Sequence, residues 1–214
     1  IYYDKYEPDA QTDMTIEQLK RLSASDKPFA LFLSIGTPHD PWVPENVPAD
    51  CLERFRSTDF HLPENYLPEN DPHADAWARL SDEEREQLTE WMRVYYAMTA
   101  NLDDNIGRLL DSIREMGLDQ NSIIVFTSDH GELFGAHGRR AKNIFYEAAG
   151  RVPFLIKWKN HLEEGVRRDF VFNTVDIMPS LLSLMGLSIP DEVEGTDLSR
   201  CILGESDTEK GALM

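Results

Sequence analysis

Three short apolar runs constrain this chain more than any other feature. Residues 29–35, 123–126 and 152–158 are each of strand length and nearly continuous in apolar side chains. Runs without polar alternation fit strands buried on both faces, as in parallel sheets. Pro153 is tolerable at the start of the third run, where a strand needs no ladder donor. Between the runs lie segments of helical period. Met14, Ile16, Leu19 and Leu22 mark a helix over residues 13–22, stopped by Asp26-Lys27-Pro28. Ser81, with Glu84 three residues on, is a capping-box start. The apolar positions Trp91, Val94, Tyr95, Met98, Leu102, Ile106, Leu109, Leu110 and Ile113 then predict a long amphipathic helix to about Gly117, broken at most once, whose aromatic and Met side chains serve the core. A last helix is predicted over residues 174–185, ending at Gly186. Strands alternating with helices predict an α/β chain: a three-layer αβα sandwich with a mainly parallel sheet. Residues 44–80 are rich in Pro, Asn and Asp, without period, and read as a long functional loop excursion.

Composition excludes some functions. At 214 residues and 41% hydrophobic, the chain can bury the core of one domain or slightly more. A formal net charge of −18 repels phosphate backbones, which argues against general nucleic-acid binding. The charge is uneven: residues 138–168 hold eight Lys/Arg against three Glu. That basic segment suits either a small anionic group held in a pocket or a solvated face. Cys51 and Cys201 impose no disulfide framework. No run approaches a membrane span. The chain opens at Ile1 in sequence of mid-domain character, so the natural N-terminus is expected upstream and the compartment is not readable from it.

The chemistry concentrates after the second run. Ser128-Asp129-His130-Gly131-Glu132 follows it directly, then Gly135-Ala136-His137-Gly138 and Lys142. The mouth of a buried strand is where open α/β sheets bind ligands. A carboxylate beside an imidazole suits several divalent metals, and oxygen-rich surroundings would favour calcium or magnesium. On the residues alone, a turn with a capping Asp and a surface His fits equally well. His39 ends the first run in Pro38-His39-Asp40-Pro41. It reads as a turn histidine bonded to backbone, or as a donor or general acid at an anionic oxygen. Lys142 could place a point charge on the same oxyanion.

Taken together, Pro38-His39-Asp40-Pro41, Thr127 to Gly131, Gly135-x-His137-Gly138, Lys142, Tyr146-Glu147, Arg151-Val152-Pro153 and Val175-Asp176-Ile177-Met178-Pro179-Ser180-Leu181-Leu182 resemble the sulfatase family of the alkaline phosphatase-like superfamily. The resemblance covers roughly residues 26–187. It implies an alkaline phosphatase-like fold, incomplete in this chain, with residues 1–214 the C-terminal part of a catalytic domain. Asp129 and His130 would be two ligands of a divalent cation, Ca2+ first and Mg2+ or Mn2+ as alternatives. Lys142 would contact sulfate and the bridging oxygen. His39 would bind sulfate or protonate the departing alcohol. His137 and Arg139 would be substrate contacts, while Arg151 would anchor the third strand.

The family nucleophile, a formylglycine made within Cys/Ser-x-Pro/Ala-x-Arg, has no counterpart here. Neither Cys51 nor Cys201 begins that pattern, and the paired Asp ligands that precede it are also missing. Both are expected outside this chain, and the fragment alone is expected to be inactive. The implied substrate is a sulfated mono- or oligosaccharide or an aryl sulfate, with no nucleic acid and no membrane span, and the oligomeric state stays open. The implied compartment is periplasmic, secreted or lysosome-like. Two alternatives stand beside this: a phosphodiester or phosphonate monoester hydrolase of the same superfamily, and a non-catalytic binding domain on a degenerate sulfatase fold.

Overall fold

A computed structural model of the chain describes residues 4–66 and 71–205. It divides into two compact units, Ile1–Asp119 with Val125–Leu155, and Gln120–Ile124 with Ile156–Met214. The division falls across both strands of the sheet.

The first unit is organised by two helices, α1 (Glu7–Ser23) and the 34-residue Asp82–Glu115. Pro8 sits in the first turn of α1, where its missing N–H costs nothing. Asp9 Oδ1 accepts from Asn101 Nδ2 at 3.1 Å and from Asn105 Nδ2 at 2.7 Å, so the buried amides of the long helix are satisfied by α1. The long helix starts as its sequence predicts. Glu84 N donates to Ser81 Oγ at 3.2 Å and Ser81 N donates to Glu84 Oε2 at 2.8 Å. It runs unbroken, and Gly117 beyond it takes a left-handed φ of 70°.

The 44–80 segment is more structured than a plain loop. It holds α2 (Ala49–Glu53) and 3-10 turns at Pro44–Asn46 and Ala76–Arg79. With that helix placed, the long helix Asp82–Glu115 is α3 in chain order. Val47 and Cys51 join Trp42, Val94, Ala97 and Met98 in one core cluster. Phe60, Leu62, Tyr66 and Trp77 pack on Leu80, Leu88 and Met92 in a second. Residues 67–70 of the excursion lie outside the described residues.

Strand β1 (Ile123–Thr127) pairs with β2 (Phe154–Trp158) in an antiparallel two-stranded sheet. The direction follows from the connection. The chain leaves β1 and returns to the same end, where Gly131 N donates to Ala149 O at 2.8 Å, in and beside the short helix α4 (Glu147–Gly150).

The first apolar run departs from expectation: residues 29–35 form no strand. Leu31, Leu33 and Ile35 are half-buried while Phe32 is 93% exposed. That alternation is the period of an extended segment. A strand buried on both faces needs neighbours along both edges. Among the described residues only β1 and β2 are strands, and they pair with each other.

The second unit contains α5 (Thr174–Leu184) and α6 (Ser199–Leu203). Asn173 and Asp176 form a capping box. The other carboxylate oxygen of Asp176 accepts Thr196 N at 2.7 Å. Gly195 is required, since a Cβ there would lie 1.9 Å from Val175 O. Among the described residues, no helix is long and apolar enough to cross a membrane.

Candidate active site

The site lies wholly in the first unit. It is an open cleft of about 850 Å³ whose walls include Lys5, His39, Asp40, Asp129, Glu132 and Lys142. Two loops build it, and each is fixed by its own sequence.

The loop after β1 is held close against α4. A Cβ on Gly131 would meet Ala148 O at 2.1 Å, so only glycine permits the approach. Glu132 Oε1 accepts Ala141 N at 2.7 Å and Leu133 N donates to Ala141 O at 3.1 Å. These bonds close the loop and set Lys142 in the same cleft as His130. Phe134, His137 and Ala141 all have φ between 42° and 68°, in the left-handed region. Such conformations cost about 1–3 kcal/mol each and persist only where the surroundings impose them. At Phe134 the imposition is visible: its ring packs at 4.7 Å on Trp42 and 5.0 Å on Tyr95.

The loop after residue 35 is pinned by Trp42. This side chain is buried, and its indole N–H donates to Pro38 O at 2.8 Å. Asn46 Nδ2 donates to Pro41 O at 3.0 Å. His39 projects from between these anchors into the cleft. Its Nδ1 bonds the Asp40 backbone carbonyl at 3.1 Å and lies 2.7 Å from Asp40 Oδ1. Lys142 Nζ donates to its Nε2 at 2.8 Å. An ammonium has no lone pair, so His39 Nε2 must accept and the imidazole proton sits on Nδ1, facing Asp40. The Asp40 Oδ2 atom is 3.7 Å from Arg140 Nη2. The Arg140 guanidinium lies over three indole rings, at 4.4 Å from Trp91, 5.3 Å from Trp77 and 5.5 Å from Trp42. A continuous chain of contacts therefore runs from the core through Arg140, Asp40 and His39 to Lys142.

Asp129 and His130 occupy the mouth of β1. Ser128 Oγ donates to His130 O at 2.9 Å and His130 N donates to Asp129 Oδ1 at 2.9 Å. Partial burial pushes the Asp129 carboxyl up, but the His130 N–H and the imidazole outweigh it, and the net shift is below the ordinary carboxylate range. His130 Nδ1 lies 2.8 Å from Gly131 O, which assigns its proton there and leaves Nε2 as a lone pair. That lone pair is 3.5 Å from Asp129 Oδ2. Two acceptors at the separation of adjacent ligands on one cation, with the imidazole oriented by a backbone carbonyl, fit a divalent metal. As ligands they would be two of a larger set. Among the described residues no group of three or more His, Cys, Asp or Glu could hold an ion.

The remaining two predicted residues are placed elsewhere and are not among the cleft walls. His137 stacks on Tyr146 at 3.9 Å, with Nδ1 at 3.0 Å from Asp71 Oδ2 and Nε2 at 3.2 Å from Asn65 Nδ2. Tyr146 OH reaches both Asp71 oxygens at 2.7 Å. Arg139 bonds His73 O and pairs with Asp75 at 3.8 Å. Both tie the 44–80 excursion to the loop after β1. The basic segment is split: Arg140, over the indole rings, still lines the cleft, while Arg151 pairs with Glu147 at 3.3 Å.

Sequence reasoning passed over Asp40, Arg140 and Glu132. Asp40 had a signal, since a carboxylate next to a candidate acid histidine can orient it. Arg140 had none, because its three indoles are scattered over residues 42–91.

Comparison with known proteins completes the picture. A family model described as Sulfatase matches residues 2–187. The ulvan-active sulfatase of Formosa agariphila is 35% identical over 206 residues, covering 94% of this chain and 37% of its own length. An arylsulfatase of Clostridium perfringens is 34% identical over 212 residues, covering 91% and 41%. The crystal structure of yidJ from Bacteroides fragilis superposes with a TM-score of 0.82 at 30% identity, over 97% of this chain and 43% of that one. A phosphonate monoester hydrolase of Agrobacterium radiobacter shares the fold, with a TM-score of 0.75 at 24% identity over 97% and 45%. These neighbours have the alkaline phosphatase-like fold. The chain thus spans about two fifths of the length of the curated relatives it matches.

Proposed function

This chain belongs to the sulfatase family, and on that premise we propose that it supplies one wall of the active site of a sulfuric ester hydrolase acting on a sulfated sugar or aryl sulfate. The observation that carries the reading is the Lys142 Nζ to His39 Nε2 hydrogen bond at 2.8 Å, made across the cleft next to Asp129 and His130. Lys142 spends one N–H on His39 and keeps two for the ester, one for the bridging oxygen and one for a sulfate oxygen. As the S–O bond breaks, charge develops on the departing oxygen, where a preorganised ammonium is most effective. The acid proton is held between Nζ and Nε2, and either nitrogen can deliver it to the alcohol oxygen. Asp129 and His130 would hold Ca2+, with Mg2+ or Mn2+ as alternatives. When bound, the ion would neutralise sulfate oxygens and orient the group. His137 and Arg139 shape the pocket by fixing the 44–80 excursion.

The nucleophile and the other metal ligands belong to polypeptide outside this chain, and so do the strands of the mainly parallel sheet in a three-layer αβα sandwich. The supporting fact is that yidJ, at TM-score 0.82, has less than half its length matched. The fragment alone is therefore inactive. A secreted, periplasmic or lysosome-like compartment follows from the family reading.

The test is hydrolysis by the complete gene product of an aryl sulfate, an aryl phosphonate and an aryl phosphodiester, with and without added calcium. Preference for sulfate, lost in Asp129→Ala, supports the reading. Preference for phosphorus esters moves the protein to the sister chemistry that shares the fold. Failure on all of these and on natural sulfated sugars would revive a binding role.

A further inference from the structure

We infer that Asp40 and Arg140 are a positioning pair that fixes the tautomer of His39, and through it the direction in which Lys142 presents its ammonium. The inference rests on the proposed hydrolase for its kinetic consequence and on geometry alone for its structural one.

Three observations meet at Asp40. Its Oδ1 lies 2.7 Å from His39 Nδ1, its backbone carbonyl makes the hydrogen bond to the same nitrogen at 3.1 Å, and its Oδ2 faces Arg140 Nη2 at 3.7 Å. The carboxylate therefore has one oxygen for each neighbour. Neither the backbone carbonyl nor the carboxylate can donate, so together they hold the imidazole proton on Nδ1, the carboxylate adding its charge to the backbone bond. Nε2 is then an acceptor aimed at Lys142 Nζ, 2.8 Å away. The opposite tautomer would set an Nε2–H against an ammonium, two donors facing each other, and Lys142 would have to turn away.

Arg140 explains why Asp40 stays in place. Asp40 is 43% exposed, and a lone surface carboxylate beside a histidine would rotate freely. Arg140 is held over three indole faces, 4.4–5.5 Å from their centroids. Trp42 is itself buried, and its indole N–H anchors the His39 loop at Pro38. The guanidinium is thus fixed by the core, and it fixes Asp40. Here the planar group is needed for both stacking and pairing, which lysine provides less well. Asp40 and Arg140 also line the cleft, and Lys142 stands at the far end of this chain of contacts.

The test reads the tautomer directly. In the complete gene product, selective 15N-histidine labelling distinguishes protonated from unprotonated ring nitrogens, and His39→Gln identifies the His39 signals. In the wild type, Nδ1 should carry the proton and Nε2 should be bare. A proton on Nε2 in the wild type overturns the inference without any variant. In Asp40→Asn, which keeps the shape, the amide can offer an N–H, and the His39 proton should move toward Nε2. Turnover of the aryl sulfate should fall by roughly a hundredfold, the scale of a misplaced acid–base group, with KM within a few-fold. Arg140→Lys should retain more turnover than Arg140→Met, a rescue that mere packing would not produce. An unchanged His39 spectrum in Asp40→Asn, or equal activity in the two Arg140 variants, overturns it. If the wild type hydrolyses no sulfate ester, the proposed reaction fails, and the His39 spectra still decide this inference.

Discussion

Among the described residues, two histidine–aspartate couples meet through Nδ1, and their settings differ. His39 meets Asp40 at 2.7 Å and His137 meets Asp71 at 3.0 Å, each through Nδ1. The difference lies at the other ring nitrogen. His39 Nε2 accepts from an ammonium in an open cleft, while His137 Nε2 faces the Asn65 amide under a stacked Tyr146 ring. Exposure follows the same division: Asp71 is 10% exposed and Asp40 43%. The same residue pair thus opens onto a cleft in one setting and is closed off as a fastener in the other, and on the proposed function only the first takes part in the chemistry. The partner of Nε2 and access to solvent decide which.

Lys142→Ala should break the comparison most strongly. Hydrolysis of an aryl sulfate by the complete gene product should fall by about 10²–10³-fold, as when an oxyanion donor is removed, with little change in unfolding midpoint. Activity within twofold of wild type would remove Lys142, and with it the His39 couple, from the chemistry. Gly131→Ala comes next. Its Cβ would be driven into Ala148 O, and unfolding in urea should show a loss of about 2–4 kcal/mol. A smaller loss would mean that α4 can shift and that the loop carrying His130 is less tightly fixed than its bonds imply.

His137→Ala is the mirror of Lys142→Ala. Losing a stacked ring and a hydrogen bond should lower stability by about 1–2 kcal/mol while kcat stays within a few-fold. A large fall in kcat without lost stability would make His137 a substrate contact. The smallest effect is in pH. The Tyr146 hydroxyl, more than any other neighbour, holds the Asp71 carboxyl below its ordinary range, and the same bond holds the Tyr146 phenol above its own. A lowered carboxyl pKa stabilises the fold above about pH 4, and that contribution is lost as pH falls through the folded value. A raised phenol pKa stabilises below about pH 10, and that contribution is lost as pH rises through its folded value. Tyr146→Phe should therefore flatten the stability profile at both ends. Profiles that superpose would show that the bond contributes nothing to folding.

What the sequence made legible is what depends on neighbours in the chain. The Ser81–Glu84 box, the period of α3, β1 and the loop of Asp129 and His130 are all local patterns, and all appear where the residues imply. The joining of His39 to Lys142, 103 residues apart, was foreseeable only because each follows an apolar run expected to end at one ligand-binding edge, although the first of those runs forms no strand. The indole cage around Arg140 was not foreseeable. Trp42, Trp77 and Trp91 come from a loop, a 3-10 turn and a helix, and no spacing links them. Residues 29–35 failed for a different reason. An apolar run states that it should be buried but not by what, and the described chain places no strand beside it.

Arg140 over its three tryptophans has a consequence for how this protein can change over time. A core side chain is ordinarily free to drift among shapes of similar volume, at a cost of about 1.5 kcal/mol or less. Trp91 is not free in that way, because it packs in both core clusters and also carries the guanidinium that faces Asp40. A swap to Phe or Leu that the fold survives would still loosen Arg140. At this position the interior should tolerate fewer alternatives than its packing demands, with turnover failing before the fold does.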